Sequence, residues 1–231
     1  MLRVVTPSAF GPTPRSTPTR LREKVTYDVA TAHAILDEAL VCHVGFIVDG
    51  APRVLPTIHA RLGARLYVHG STGTPLLRLA RQAGPGGIDV CVTVTLLDGI
   101  VLARSQFESS MNYRCVVAQG RAVLVTDPDE RDAALHRIAE HVSPGRTATS
   151  RAGNGKELAA TAVLGLDLVE VSVKSSTGDP EDDPADLDGP YWAGVLPVSL
   201  VFGEPQPSAD LRPGIEPPSH LLKYGRPSTR N

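Results

Sequence analysis

The sequence predicts an antiparallel β-barrel with a few short flanking helices. Seven or eight β-rich apolar runs of strand length recur along the chain, and tight turn signals join most of them. Two Asp-Gly dipeptides, at 49–50 and 98–99, are strong short-range hairpin signals. Helical patterns are short and do not alternate with every strand, which argues against a doubly wound parallel sheet.

Residues 1–24 are rich in Pro, Thr and Arg and show no periodicity. Such a composition cannot bury enough apolar surface to offset chain entropy, so a flexible or draped arm is expected. From Thr26 the pattern becomes helical: Val29, Ala32, His33, Ile35, Leu36, Ala39 and Leu40 recur at three-to-four spacing behind Thr26 or Asp28 as N-cap. Val41–Val48 then reads as a strand, Asp49-Gly50 as its turn, and Arg53–Arg61 as its partner. A further turn at 62–64 leads to a strand over Leu66–His69.

Gly70–Thr74 is small and hydroxyl-rich, and Pro75 suits the first turn of a helix carrying Leu76, Leu77, Leu79 and Ala80. Ile88–Leu97 and Ile100–Gln106 are expected to form a second hairpin about Asp98-Gly99. Tyr113–Thr126 reads as a long strand with a bulge at Gly120. Asp127 or Asp129 would cap a helix reaching His141 and burying Ala133, Ala134, Leu135 and Ile138. Val163–Val173 and Val195–Phe202 complete the strands. The stretch 179–188 has six acidic and no basic residues and reads as a solvated loop, and Gly203–Asn231, with six prolines, as an extended tail.

The 231 residues, 42% hydrophobic, suffice for one sizeable core. A formal charge of −2 supplies no basic field for nucleic acid. No apolar run approaches the roughly 18 residues of a membrane span, so no membrane partner is expected. The first residues lack the apolar core of a secretory signal, and Cys42, Cys91 and Cys115 lie far apart in apolar surroundings. Together these give the expectation of a cytoplasmic protein with reduced thiols.

The most informative local feature is His69-Gly70-Ser71-Thr72-Gly73-Thr74, between a strand and a helix. Free amides, the positive end of the helix and three hydroxyls make such a turn a phosphate cradle, although ordinary turns use the same residues. With seven histidines and three cysteines there is still no CxxC, HxxxH or HExxH spacing, so no metal site is expected. No GxSxG elbow and no GxGxxG fingerprint occurs, and no catalytic acid, base or nucleophile can be named.

Five segments taken together resemble the pyridoxamine 5'-phosphate oxidase-related FMN-binding proteins, in particular their nitroimidazole-resistance-like branch. They are Ala39–Phe46 (ALVCHVGF), Arg53–Thr57 (RVLPT), Leu66–Ser71 (LYVHGS), Asp89–Ser105 (DVCVTVTLLDGIVLARS) and Ser110–Val117 (SMNYRCVV). The resemblance covers about 25–203, giving an arm at 1–24, an FMN-binding domain at 25–203 and a Pro-rich tail at 204–231. It implies an FMN-binding split β-barrel, Greek-key-like, and a homodimer with the cofactor at the subunit interface.

By the resemblance, the FMN phosphate would lie at His69, Gly70, Ser71 and Thr72, with Arg78 as a charge partner. The ring would run along Leu55, Pro56 and Thr57, with Thr93 on the matching strand, Tyr113 and Arg114 near the cofactor, and Trp192 packing from the second subunit. These residue types are also ordinary strand and core fillers.

Relatives place an Arg or Lys just after the Ser of the phosphate turn, where this chain has Thr74-Pro75. That departure leaves room for a deazaflavin cofactor or haem. The resulting expectation is an FMN-dependent oxidoreductase acting on a small-molecule substrate, of nitro or quinone type. The pyridoxamine phosphate oxidase reaction itself is not expected, because Trp192-Ala-Gly-Val-Leu-Pro does not supply that enzyme's C-terminal signature. The alternatives are a non-catalytic flavin or haem carrier, for which His43, His59 and His69 are candidate iron ligands, a deazaflavin-dependent reductase, and a dimer that has lost its cofactor.

Overall fold

A computed structural model describes residues 8–225. Six strands close the barrel in the order β6-β7-β4-β3-β2-β5, with β5 returning to β6. They are β2 (Val41–Val48), β3 (Ala51–Leu62), β4 (Arg65–Ser71), β5 (Ile88–Leu102), β6 (Ser110–Leu124) and β7 (Thr161–Asp167). All their pairings are antiparallel. β8 (Glu170–Ser176) and the two-residue β1 (Val25–Thr26) extend the sheet beyond β6, and β9 (Gly194–Pro197) adds to the far end of β5.

The barrel interior is filled by alternate residues of each strand. Val44, Leu66, Val68, Val90, Val92, Ala122, Leu164 and Leu166 surround a void of only about 10 Å³. A packed interior of this kind cannot hold a ligand, so any cofactor must lie outside the barrel.

Helix α1 (Val29–Glu38) plugs the core with Val29, Ala32, Ile35 and Leu36, and Asp28 caps it by accepting from Thr31 N. Helix α2 (Pro75–Ala83) buries Leu76, Leu77 and Ala80. Helix α3 (Pro128–Val142), capped by Asp127, covers a smaller cluster of Ala60, Tyr67 and Val163 with Ala134 and Ile138. Ala133, expected inside, is exposed, and His141 is buried in its place. Two short helices, α4 (Gly155–Ala160) and α5 (Ser219–Leu222), complete the set. No helix among the described residues is long and apolar enough to cross a membrane.

The second predicted hairpin does not form. β5 runs through Asp98-Gly99 with a register shift between Leu97 and Gly99, and the chain reverses at 103–109. The dipeptide is a bulge because Asp98 is held by Arg114, while Gly99 must admit β9: a Cβ there would meet Val195 Cγ1 at 2.8 Å. The single strand expected at 163–173 is two, since the chain turns at Leu168 and Val169. Likewise β9 ends at Pro197, leaving Leu200 and Val201 exposed. At Gly120, β6 passes from β8 to β7 with its pairing to β5 unbroken, so the bulge expected there is absent.

The arm from residue 8 is draped over the barrel. Phe10 is buried, Phe10 N donates to Tyr27 O at 2.8 Å, and Arg15 pairs with Glu170. The acidic stretch is anchored as well: the Asp182 side chain is 1% exposed and accepts from the backbone and guanidinium of Arg104. The tail returns to α3, where Phe202 and Tyr224 stack edge to face at 4.6 Å and Tyr224 Oη donates to Val142 O.

Candidate functional site on the outer face of the barrel

Strand alternation sorts the candidate residues between two faces. In β2, Cys42, Val44 and Phe46 point into the core, so Val41, His43 and Ile47 point out. Pairing sets Pro56 beside His43 and His43 beside Thr93, one continuous row across β3, β2 and β5. Leu55 and Thr57 pair with the inward Val44 and Cys42, so they offer this row their backbone. On β4, Leu66 and Val68 are core residues, which turns His69 outward. Tyr113 pairs with Leu97, two rungs along the outward row from Thr93, and shares its face.

This outer face is apolar and open. Val41, Ile47, Val54 and Ile58 all lie on it, Val54 being 67% exposed. Exposed apolar residues gathered on one face make it a candidate binding surface.

At the end of β4 a hydroxyl-rich turn leads into the N-terminus of α2, as the sequence predicts. Gly73 N donates to Ser71 Oγ at 3.4 Å, and Thr74 Oγ1 donates to Ser71 O at 3.0 Å. Thr74 is the N-cap residue of α2 but its side chain makes no cap, so the helix presents its first turn uncapped. Gly70 lets α2 approach β4: a Cβ would sit 3.3 Å from Leu77 Cδ1. Arg78 is exposed one helical turn from the cradle.

Arg114 lies elsewhere. Its neighbour Tyr113 takes the open face, and Arg114 itself is buried beneath α1. It donates to Asp98 at 2.8 and 2.9 Å and to Glu38 at 2.6 and 3.0 Å. The hydrogen bonds to Asp98, then those to Glu38, push its pKa above the usual arginine value. Trp192 is 67% exposed on the segment leading into β9.

The three candidate iron ligands separate cleanly. His59 is fully buried, with Nε2 3.0 Å from Leu36 O, and packs 5.1 Å from the ring of His141, whose Nε2 is 2.7 Å from Ala39 O. Both imidazoles cap the C-terminal end of α1 and do not reach the outer face. His43 is exposed on that face. His69 is half-buried, its Nδ1 is shielded without a hydrogen-bond partner, and burial lowers its pKa, which keeps the ring neutral. Burial pushes the Cys42 thiol up to about 12 and raises Cys91 and Cys115 too, so all three are packing thiols.

The sequence reading names His43 only as a candidate iron ligand, not as a residue of this open face, and misses a cleft on the outer flank of α3. A signal for the first was present. Val41–Val48 is apolar at both alternating sets of positions, the pattern of a strand covered on both sides.

Residues 28–175 match the family model for pyridoxamine 5'-phosphate oxidase. The flavocytochrome Anf3 from Azotobacter vinelandii is 36% identical, with 96% of this chain and 100% of that one covered and a TM-score of 0.86. An FAD and heme binding protein from Mycobacterium smegmatis is 35% identical, covering 88% and 98%, at a TM-score of 0.81. A candidate 5-nitroimidazole antibiotic resistance protein from Bacteroides thetaiotaomicron, 21% identical over 65% and 85% of the two chains, shares the fold at a TM-score of 0.52. No curated protein matches.

Proposed function

This chain belongs to the pyridoxamine 5'-phosphate oxidase family, and from that premise we propose that it is a flavin- and haem-binding oxidoreductase that works as a homodimer. One observation carries the reading. Two proteins at least 35% identical over nearly their whole lengths are a flavocytochrome and an FAD and heme binding protein. The residues present fit both groups: the open face carries two outward imidazoles, His43 and His69, and runs into an uncapped helix N-terminus.

The chain's own part is to bind, orient and exclude water. The amides of the first turn of α2, the Ser71 hydroxyl and Arg78 hold the flavin phosphate, so the cation sits a turn later than in relatives with an early Arg or Lys. Pro56, Thr93 and Tyr113 would border the ring, and the β3 backbone at Leu55 and Thr57 would face its polar rim. His69, neutral and shielded on one edge, would supply the iron ligand. A second copy laid over Val41, Ile47, Val54 and Ile58 keeps water from this face and brings its Trp192 segment across it. When bound, flavin and haem supply the electron transfer, and a small molecule of nitro or quinone type is the acceptor.

The test is the absorption spectrum of the purified chain after incubation with FAD, FMN and haemin. Flavin bands together with a Soret band are expected, and a spectrum empty of both would overturn the reading.

A further inference from the structure

The outer face continues past Thr93 and Tyr113 onto β8. Because β6 pairs with β5 on one side and with β8 on the other, three outward rows cross all three strands. Thr93, Val117 and Ser172 form the first row, and Thr95, Cys115 and Lys174 the second. Leu97, Tyr113 and Ser176 form the third. Val94, Val116 and Val173, which pair with one another between the first two rows, are core residues, so the rows themselves point out.

The middle of this grid is a shallow seat. The small Cys115 stands between Tyr113 and Val117 on its own strand and beside the long Lys174, so its larger neighbours rise around it. Cys115 and Lys174 are both half-buried.

One charge on these rows has no counter-charge. Asp89 pairs with Arg121 and Glu170 with Arg15, whereas Lys174 forms no ion pair among the described residues. Its charge reaches the seat: burial raises the Cys115 thiol, and the amide and the ammonium of Lys174 act against that rise. The hydroxyls of Ser172, Ser176 and Tyr113 around it make no hydrogen bond to other described residues.

Lysines on edge strands repel other chains, but β8 is already covered here, because Val25 of β1 pairs with Lys174. An ammonium without a counter-charge, among hydroxyl donors that are not otherwise engaged, is a receptor for a carboxylate.

Strand spacing sets the rest of the ligand. Neighbouring strands lie about 4.8 Å apart, so two steps from β8 to β5 span about 10 Å. One aromatic ring seated over Cys115 and Val117 bridges that span. Its carboxylate then meets Lys174, and its far edge lies toward Thr93 and Tyr113, where the flavin ring would be.

We propose that the electron acceptor is an aromatic carboxylate, held by Lys174 with Ser172, Ser176 and Tyr113 so that its reducible group faces the flavin. The proposal rests on the flavin reading above and adds the charge of the substrate and the residue that selects it.

The experiment titrates the FAD-loaded full chain with para-nitrobenzoate and with its methyl ester, which has the same ring and nitro group but no charge. Binding is followed by the change in the absorption of the oxidised flavin. The wild type is expected to bind the acid at least about tenfold more tightly than the ester. Lys174→Gln should remove that preference by weakening the acid alone, with flavin affinity unchanged. Lys174→Arg, which keeps the charge, should retain most of it.

Equal affinities in the wild type, failure of both compounds to bind, or a preference undiminished in Lys174→Gln would overturn the proposal while the flavin reading stands. Loss of flavin from Lys174→Gln would also overturn it and assign Lys174 to the cofactor. A wild type that takes up no flavin would overturn the functional reading together with this one.

Discussion

Arg114 and Asp98 face each other across the β5–β6 ladder, with the guanidinium Nε 2.8 Å from one carboxylate oxygen and an Nη 2.9 Å from the other. Glu38 closes on the same guanidinium from α1, so one buried cation ties the bulge of β5 to the last turn of that helix. Arg114→Leu leaves two nearly buried carboxylates without this cation. The expected cost is about 3–5 kcal/mol of unfolding free energy in urea denaturation. A loss below about 1 kcal/mol would show that the carboxylates find other partners.

His59 and His141 present their Nε2 atoms to the carbonyls of Leu36 and Ala39, so each ring carries its proton there and the carbonyls accept. Replacing His141 by Phe keeps most of the volume and leaves Ala39 O without this donor in a buried position. Destabilisation of about 1–3 kcal/mol is expected, read from the midpoint of chemical unfolding.

Glu140 is held at about 2 by the Thr147 hydroxyl and then by the amides of Gly145 and Thr147. Its ordinary value is about 4.5, so its contribution is fully present above that pH and is lost as pH falls through about 2. Comparing stability at pH 6 with that at pH 3, the wild type should lose more than Glu140→Gln. Equal losses would contradict the role of Glu140 in fixing the turn after α3.

Ser71→Ala combined with Arg78→Ala removes a hydroxyl and the cation from the phosphate turn. Flavin affinity should fall about tenfold or more, with the fold intact by circular dichroism. An unchanged dissociation constant would move the phosphate away from this turn.

The barrel was legible because most of its strands are local hairpins with turn chemistry and clear apolar patterning. Asp49-Gly50 is the turn it promises, with φ of 50° and 77°. Asp98-Gly99 has the same two letters and is a bulge, because its conformation is set by Arg114, sixteen residues on, and by β9, some hundred residues on. Local pattern carries no record of such partners. The turn at Leu168 was hidden because both its residues are apolar and continue the strand pattern on either side. At the site, the hydroxyl-rich turn between β4 and α2 was readable from composition alone. The division of Tyr113 from Arg114, and of His69 from His59, needed strand register and tertiary neighbours, which no spacing in the sequence encodes. The cleft was invisible for the same reason: its lining is drawn from α3 and from a loop of small residues that reads as featureless.

The central claim is that the outer face of the barrel binds flavin and haem together, with His69 on the iron. The most direct measurement is the absorption spectrum of His69→Ala beside the wild type, both reconstituted with FAD and haemin. The account predicts that the wild type shows flavin and Soret bands and that the variant keeps the flavin bands and loses or shifts the Soret band. A Soret band of unchanged position and strength in the variant would contradict it.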